Sequence, residues 1–251
     1  SKYTKREIEM AYEEVLKMVV KNLAFEKGKR MDGRDLDEIR EVAAEVGVLP
    51  RVHGSGLFTR GLTQVLTIAT LGTLRKQQTV EDMMGEDIRN YMHYYIETPF
   101  VFGEVGRIKY IPGRREVGHG SLAEKALYPV LPSIEEFPYT IVLMSEIQSE
   151  NGSSSMASTC GSTLALMEAG VPIKKPVAGV GIGITIDNPD DVKEFKLFVD
   201  MKGEEDFYGY MDFKVTGTKD GFTAIQMDTK AKALPMEVFS AGLVKAREAL
   251  N

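Results

Sequence analysis

"TIVLMSEIQSENGSSSMASTCGSTLALMEAG", residues 140–170, decides how the rest of the chain is read. Its opening is apolar and rich in β-branched residues, which predicts a strand. From Ser153 onward the run of small and apolar residues predicts a buried helix, closed by Gly170. Between the two lie Asn151-Gly152 and three consecutive serines. The first N–H groups of a helix have no intrahelical acceptor, and the positive end of the helix dipole points at whatever lies there. Asn-Gly lets the backbone turn sharply, and the hydroxyls of Ser153, Ser154 and Ser155 add donors. Such a turn is an anion cradle, best suited to phosphate. The plainer alternative is one serine serving as N-cap with the other two incidental. On the following helix, Ala157, Gly161 and Ala165 form a small-residue face for close packing on a sheet.

Outward from this stretch the pattern is mixed. Before it, "EVGVL", "GLFTRG" and "TQVLTIATLG" are short β-rich runs punctuated by Gly or Pro, and "HGSLAEKALYPVL" suits a helix. After it come four strand-like runs, "VAGVGIGITID", "VKEFKLFVDM", "MDFKVTGT" and "FTAIQMDTK". Asn-Pro-Asp-Asp separates the first two and Lys-Asp-Gly the last two, both tight-turn sequences. A final helix, "PMEVFSAGLVKAREAL", has Pro235 in its first turn. Strands in blocks with a few helices between them predict an α+β sandwich rather than a regular βαβ array. At the other end, residues 5 to 27 read as an amphipathic helix, with Ile8, Ala11, Tyr12, Val15, Val19 and Leu23 at helical spacing and Gly28 as its stop. That stripe predicts packing on a neighbouring domain or subunit, and a boundary is placed between residues 1–27 and 28–251.

Composition narrows the classes. The chain has 251 residues, enough for a sizeable core, and a net charge of −6. A polyanion partner must therefore be met by a local basic patch. The single cysteine, Cys160, builds neither a disulfide framework nor a zinc site and points to a reducing cytoplasm. No apolar run approaches a membrane span, and "SKYTKREIEM" carries no signal pattern.

Two further groups carry chemistry. In "EEDFYGYMDFKVTG", strand periodicity puts Asp212 and Lys214 on one face and Met211, Phe213 and Val215 on the core face. Asp206, on a Gly-containing turn, could fold back beside Asp212. Two carboxylates with open positions suit Mg2+, and a solvated strand face carrying an Asp–Lys pair is the bland reading. In "RIKYIPGRREVGHG", Arg107, Lys109, Arg114, Arg115 and His119 fall in a loop that could grip a phosphodiester backbone, since guanidinium forks match phosphate oxygens. A merely solvated charge run is the alternative there. His53 and His93 have no site-like spacing and read as structural.

Taken together, "MDGRDLDEIR", "GLFTRGLTQVLTIATLGT", "PGRREVGHG", "EEFPYTIVLMSEIQSENGSSSMASTCGSTLALMEAGVPIK" and "MDFKVTGTKDGFTAIQMD" resemble the polynucleotide phosphorylase family. The match is to its second RNase PH-type catalytic domain, from about residue 28 onward, with residues 1–27 similar to the end of the helical segment that precedes it. The resemblance implies an RNase PH-like α+β fold (a ribosomal-protein-like β-α-β sandwich) and a phosphorolytic 3′→5′ exoribonuclease. In that chemistry inorganic phosphate is the co-substrate, nucleoside 5′-diphosphates are released, and the reverse reaction polymerises them. By motif match Ser153, Ser154 and Ser155 hold phosphate. Asp206, Asp212 and Lys214 form the reaction centre, with Mg2+ or Mn2+ on Asp206 and Asp212. Arg114, Arg115 and His119 hold the RNA 3′ end. The resemblance further implies trimeric or pseudo-hexameric rings, a cytoplasmic setting and no membrane partner. Tyr210 departs from the family's "GDMDFK", which weakens a three-carboxylate metal site, and Leu62 departs from "RGETQ". A non-catalytic RNA-binding ring subunit is the competing reading. A small-molecule kinase with a Gly-Ser-Ser turn leaves the arginines unexplained.

Overall fold

The computed structural model describes residues 2–108 and 111–251; Lys109, named above among the basic residues, lies outside them. Helix α1 (Lys5–Asn22) runs on through a π turn, Leu23–Lys27, and stops at Gly28, whose φ of 60° is left-handed. Its buried residues are Val20 and Ala24, whereas Ile8, Tyr12, Val15 and Val19 face outward. The helix thus docks by its C-terminal end and leaves the predicted stripe uncovered.

Five strands form the first sheet: β1 (Val42–Val46), β2 (Gly54–Arg60), β3 (Thr63–Gly72), and, beyond the β4 (Gln78–Asp82) and β5 (Gly85–Arg89) hairpin, β6 (Tyr91–Ile96) and β7 (Thr140–Ser149). Their order is β1-β2-β3-β7-β6, antiparallel except for β6, which pairs parallel to β7. The crossover between those two carries α2 (Arg114–Leu127). The fold therefore contains one βαβ unit that the block-like sequence pattern did not predict, along with the unpredicted β4–β5 hairpin and β6. The second sheet, β11-β10-β8-β9, is antiparallel throughout, from β8 (Ala178–Ile186), β9 (Phe195–Val199), β10 (Met211–Gly217) and β11 (Phe222–Thr229).

Helix α3 (Ser154–Glu168) lies between the sheets, packed on β2 and β3 on one side and β8 on the other. Its small face is what permits this. A Cβ added at Gly56 would stand 2.5 Å from the Gly161 carbonyl oxygen, so helix and sheet touch backbone to backbone. Helix α5 (Met236–Leu250) covers the far face of the second sheet, with Pro235 just ahead of it. There Ile182, Ile184, Phe213, Val215 and Val238 close a core in which none is measurably exposed. Among the described residues no helix is long and apolar enough to cross a membrane.

His93 is buried beneath α3, its Nε2 within 3.1 Å of the hydroxyls of both Ser145 and Ser162. His53 accepts a hydrogen bond from the Leu71 amide at 2.9 Å. Both histidines are structural, as the sequence suggested.

Phe213 is fully buried and packs its ring, tilted, with its centroid 5.3 Å from that of Phe239 on α5. Replacing it with Ala should cost about 3–5 kcal/mol, the cost of losing the side chain and leaving a cavity. Urea unfolding at unchanged m-value measures this; a loss below about 1 kcal/mol would mean that α5 does not close this core.

Candidate active site

A cleft of about 750 Å³ opens where the loop ends of the two sheets meet. On one wall the turn after β7 brings in Glu150, Asn151, Gly152, Ser153 and Ser154; α2 brings in Arg115 and His119. On the other wall stand Asp206, Asp212 and Lys214, joined by Asp228 and Lys230. Helix tip, carboxylates and basic side chains, read from three separate segments, therefore share one cavity.

The serine turn is held in an uncommon shape. Ser153 sits in the left-handed region at φ 52°, and Gly152 at φ 92°. A Cβ on Gly152 would stand 2.6 Å from the Met201 carbonyl oxygen, so the turn presses directly on the segment leading to Asp206. None of the three serines is a side-chain N-cap. Ser153 lines the cleft, and its hydroxyl, buried against Gly181 of β8, has no partner. Ser154 Oγ lies 2.7 Å from Tyr95 Oη, whose own proton goes to Glu97 at 2.9 Å, so Ser154 donates to Tyr95. Ser155 is buried and its hydroxyl, also unpartnered, lies outside the cleft lining. The donors that the tip leaves free are the first amides of α3, whose ladder begins with Met156 N and Ala157 N donating to Ser153 O.

On the facing wall, Asp206 is carried by a short helix, α4 (Gly203–Tyr208), and not by the turn that the glycines suggested. Lys202 supplies the amide that caps onto Glu205, and Arg30 pairs with Glu205 in full burial. Asp212 is nearly buried and accepts from Lys214 Nζ at 2.7 Å, while its second oxygen has no partner. Burial pushes its carboxyl up; Lys214 pulls it down, and Asp206 and Asp228 push it up again. Lys214 itself is 6% exposed, which rules out the solvated strand face. Asp228 faces Asp212 directly across the β10–β11 pairing. Among the described residues no group of three or more His, Cys, Asp or Glu side chains is placed to hold a metal ion alone. An open site completed by water and phosphate oxygens is what two carboxylates offer, and the unpartnered Asp212 Oδ1 suits it.

The basic group is corrected in one respect. Arg114, Arg115 and His119 are in the first turns of α2, not in a loop. Successive helical residues point about 100° apart; Arg115 lines the cleft and Arg114 is exposed outside the lining. Arg115 pairs with Glu97 at 3.0 Å and Glu150 at 2.7 Å. His119 packs edge-on to Tyr95, ring centroids 5.1 Å apart, and is driven down to about 4 by burial and by the charges of Lys214 and Arg115. It is a neutral group here.

Residues 38–172 match the 3′ exoribonuclease family, domain 1, known as RNase PH. That span is more than half of the sequence. The chain belongs to that family. It is 55% identical over 233 residues to the polyribonucleotide nucleotidyltransferase of Caldicellulosiruptor bescii, covering 93% of this chain and 33% of the relative. The protein of the same name from Chloroflexus aggregans is 53% identical over 242 residues (96% and 32%), and that from Thermomicrobium roseum 51% over 244 residues (97% and 30%). The chain thus spans about a third of the length of the curated relatives it matches.

Several cleft residues had escaped the sequence reading. Asp228 could have been found: a hairpin centred on Asp220 pairs 212 with 228 by counting alone. Glu150 gave no signal, nor did Glu97 and Tyr95, which hold Arg115 and Ser154 from behind the lining; their role arises only where β6, β7 and α2 converge. Burial and the neighbouring Glu97 push the Glu150 carboxyl up, to about 8, while Glu97 is held low by Arg115 and by its hydrogen bonds. The acid pair therefore keeps one proton at neutral pH.

This proton has a measurable consequence. Unfolded, Glu150 loses it near its ordinary 4.5; folded, it keeps it to about 8. Across that window the folded state binds more protons, so this contribution is fully present below the lower value and is lost as pH rises through the upper. Glu150→Gln has no such proton to lose. Its melting temperature relative to wild type should climb between these two values and level off above, whereas a difference independent of pH would place the proton elsewhere.

Proposed function

We propose that this chain carries the phosphorolytic centre of a 3′→5′ exoribonuclease. Inorganic phosphate attacks the last phosphodiester of RNA, a nucleoside 5′-diphosphate leaves, and the reaction runs backwards as polymerisation of diphosphates. One observation carries this reading: Ser153 at the α3 tip, its buried hydroxyl unpartnered, lines the same cleft as the Asp212–Lys214 pair and Arg115, although each comes from a different element. The relatives' shared name, polyribonucleotide nucleotidyltransferase, supports the same chemistry.

Phosphate is itself the nucleophile, so no activated Ser or Cys is required, and the protein's work is positioning and charge. Ser153 and the first amides of α3 hold the attacking phosphate. Arg115 holds the phosphodiester, with His119 packing beside it as a neutral ring. Lys214, ion-paired with Asp212 at 2.7 Å, faces the negative charge that develops as the ester bond exchanges. Asp206 and Asp212 would hold Mg2+, with Mn2+ as a substitute, and the ion when bound neutralises phosphate charge and stabilises the leaving oxygen.

For the wider assembly, we infer that residues 1–27 are the end of a linking helical segment joined to a catalytic domain from residue 28, in a cytoplasmic protein. The outward stripe of α1, with Ile8 54% and Tyr12 63% exposed, supports a contact in a trimeric or pseudo-hexameric ring.

The test is release of nucleoside diphosphate from RNA, dependent on phosphate and on Mg2+. Asp212→Asn should lower kcat by about 10²–10³-fold, the usual cost of removing one preorganised charge. Ser153→Gly keeps the left-handed backbone and deletes only the hydroxyl, so the KM for phosphate should rise about 10-fold or more, as for a hydrogen bond to a charged group. Turnover in both variants equal to wild type would remove the assignment.

A further inference from the structure

A second cavity of about 400 Å³ adjoins the cleft and shares Phe102, Glu150 and Asn151 with it. Phe102 is therefore a wall between two spaces. It ends a short 3₁₀ turn, Pro99–Phe102, that Gly103 closes in the left-handed region at φ 71°. The turn is tied to the serine loop, because the Glu150 amide donates to the Val101 carbonyl at 3.2 Å. Although so placed, the Phe102 ring is 47% exposed. Its centroid stands 5.7 Å from the guanidinium carbon of Arg115, which Glu97 and Glu150 hold in position. A half-exposed aromatic ring with a fixed guanidinium over one face thus stands at the junction of a polar cleft and a second cavity, whose lining includes Leu62 and Gln64.

We propose that Phe102 is a stacking platform for a nucleobase at the 3′ end of the RNA, with the terminal nucleotide in the cleft and the preceding one in the adjoining cavity. This rests on the functional reading given above and adds to it how successive nucleotides are seated. Ring stacking accepts every base, because each presents a π face, so the platform holds the strand without selecting its sequence. Arg115 beside the ring addresses the backbone phosphate while Phe102 takes the base. The exposed ring plays little part in the core, and its removal leaves the fold in place.

RNA oligomers carrying 2-aminopurine at the last or the next-to-last position test this with the whole chain, in the absence of phosphate so that no turnover occurs. Wild type should quench one of the two probes on binding. Phe102→Ala should abolish that quench and raise the Kd for RNA by about 5- to 150-fold, the range of one base stack. Phe102→Trp should restore both, Phe102→Leu should not, and far-ultraviolet circular dichroism should be the same in all. In turnover with phosphate, Phe102→Ala should raise the KM for RNA and leave the KM for phosphate unchanged. Unchanged quench and Kd in Phe102→Ala, or full restoration by Leu, overturns the platform while phosphorolysis by wild type leaves the broader reading standing. A wild-type chain that neither binds nor phosphorolyses RNA overturns both.

Discussion

Asp200 holds the two halves of the cleft in register. It is fully buried, in the left-handed region at φ 53°, and is surrounded by arginines from the first sheet's side of the molecule. Arg40 donates to both its oxygens at 2.7 Å, and Arg60 is ion-paired with it at 2.7 Å. The same guanidinium groups reach across to the serine turn: Arg40 to the Asn151 carbonyl at 2.5 Å, Arg60 to those of Gly152 and Ser153 at 3.1 Å. Burial pushes the Asp200 carboxyl up, yet the Arg40 bonds and the Arg60 charge more than offset this and hold it below its ordinary value. A buried charge left without such partners would cost about 3–5 kcal/mol. The network therefore welds the loop that presents Ser153 to the loop that leads into Asp206, and the distance between anion cradle and carboxylates is set by it.

The serine turn could not occupy this position on packing alone. Its left-handed Ser153 is seated against Gly181 of β8, where any side chain would collide with the Ser153 hydroxyl. A second glycine, Gly152, lets it lie on the Met201–Gly203 backbone, and the Asn151 side chain accepts from the Gly203 amide at 3.1 Å. The strain of a non-glycine residue at positive φ, of order 1–3 kcal/mol, is met by these surroundings. What results is a hydroxyl fixed at a helix tip with nothing of the protein's own to bond.

The β7–turn–α3 stretch was legible because each of its signals is local: a β-branched run, a Gly-containing turn, small residues at helical spacing. The alternation that put Asp212 and Lys214 together was legible for the same reason. What sequence could not give was convergence. "PGRREVGHG" reads as a loop by its glycines and proline, but Glu116 caps the Gly113 amide at 2.6 Å and the backbone winds from Arg114 onward. Asp206 reads as part of a turn until Arg30, more than 170 residues away in sequence, pairs with Glu205 and fixes a short helix there. The α1 stripe was legible as an amphipathic helix in need of a partner, whereas which end of that helix docks was not, since Val20 and Ala24 lie off the stripe.

The charges of the cleft pose a problem that its groups then solve. A site for two phosphates would be expected to be basic, yet Asp206, Asp212, Asp228 and Glu150 all line it. Three features reduce that negative potential. Burial and the neighbouring Glu97 push the Glu150 carboxyl up to about 8, which removes one charge beside Arg115. Lys214 is pinned to Asp212, which cancels a second. On the facing wall Asp206 and Asp228 push the Asp212 carboxyl up, and a divalent cation placed there would relieve the repulsion among them. On the proposed reading an acidic chain meets a polyanion at one place without a general affinity for it, because the attraction depends on a cation, a proton and a helix tip lining one cleft. His119 fits the same logic: burial and two nearby cations keep it neutral, so it adds no charge that would have to be balanced.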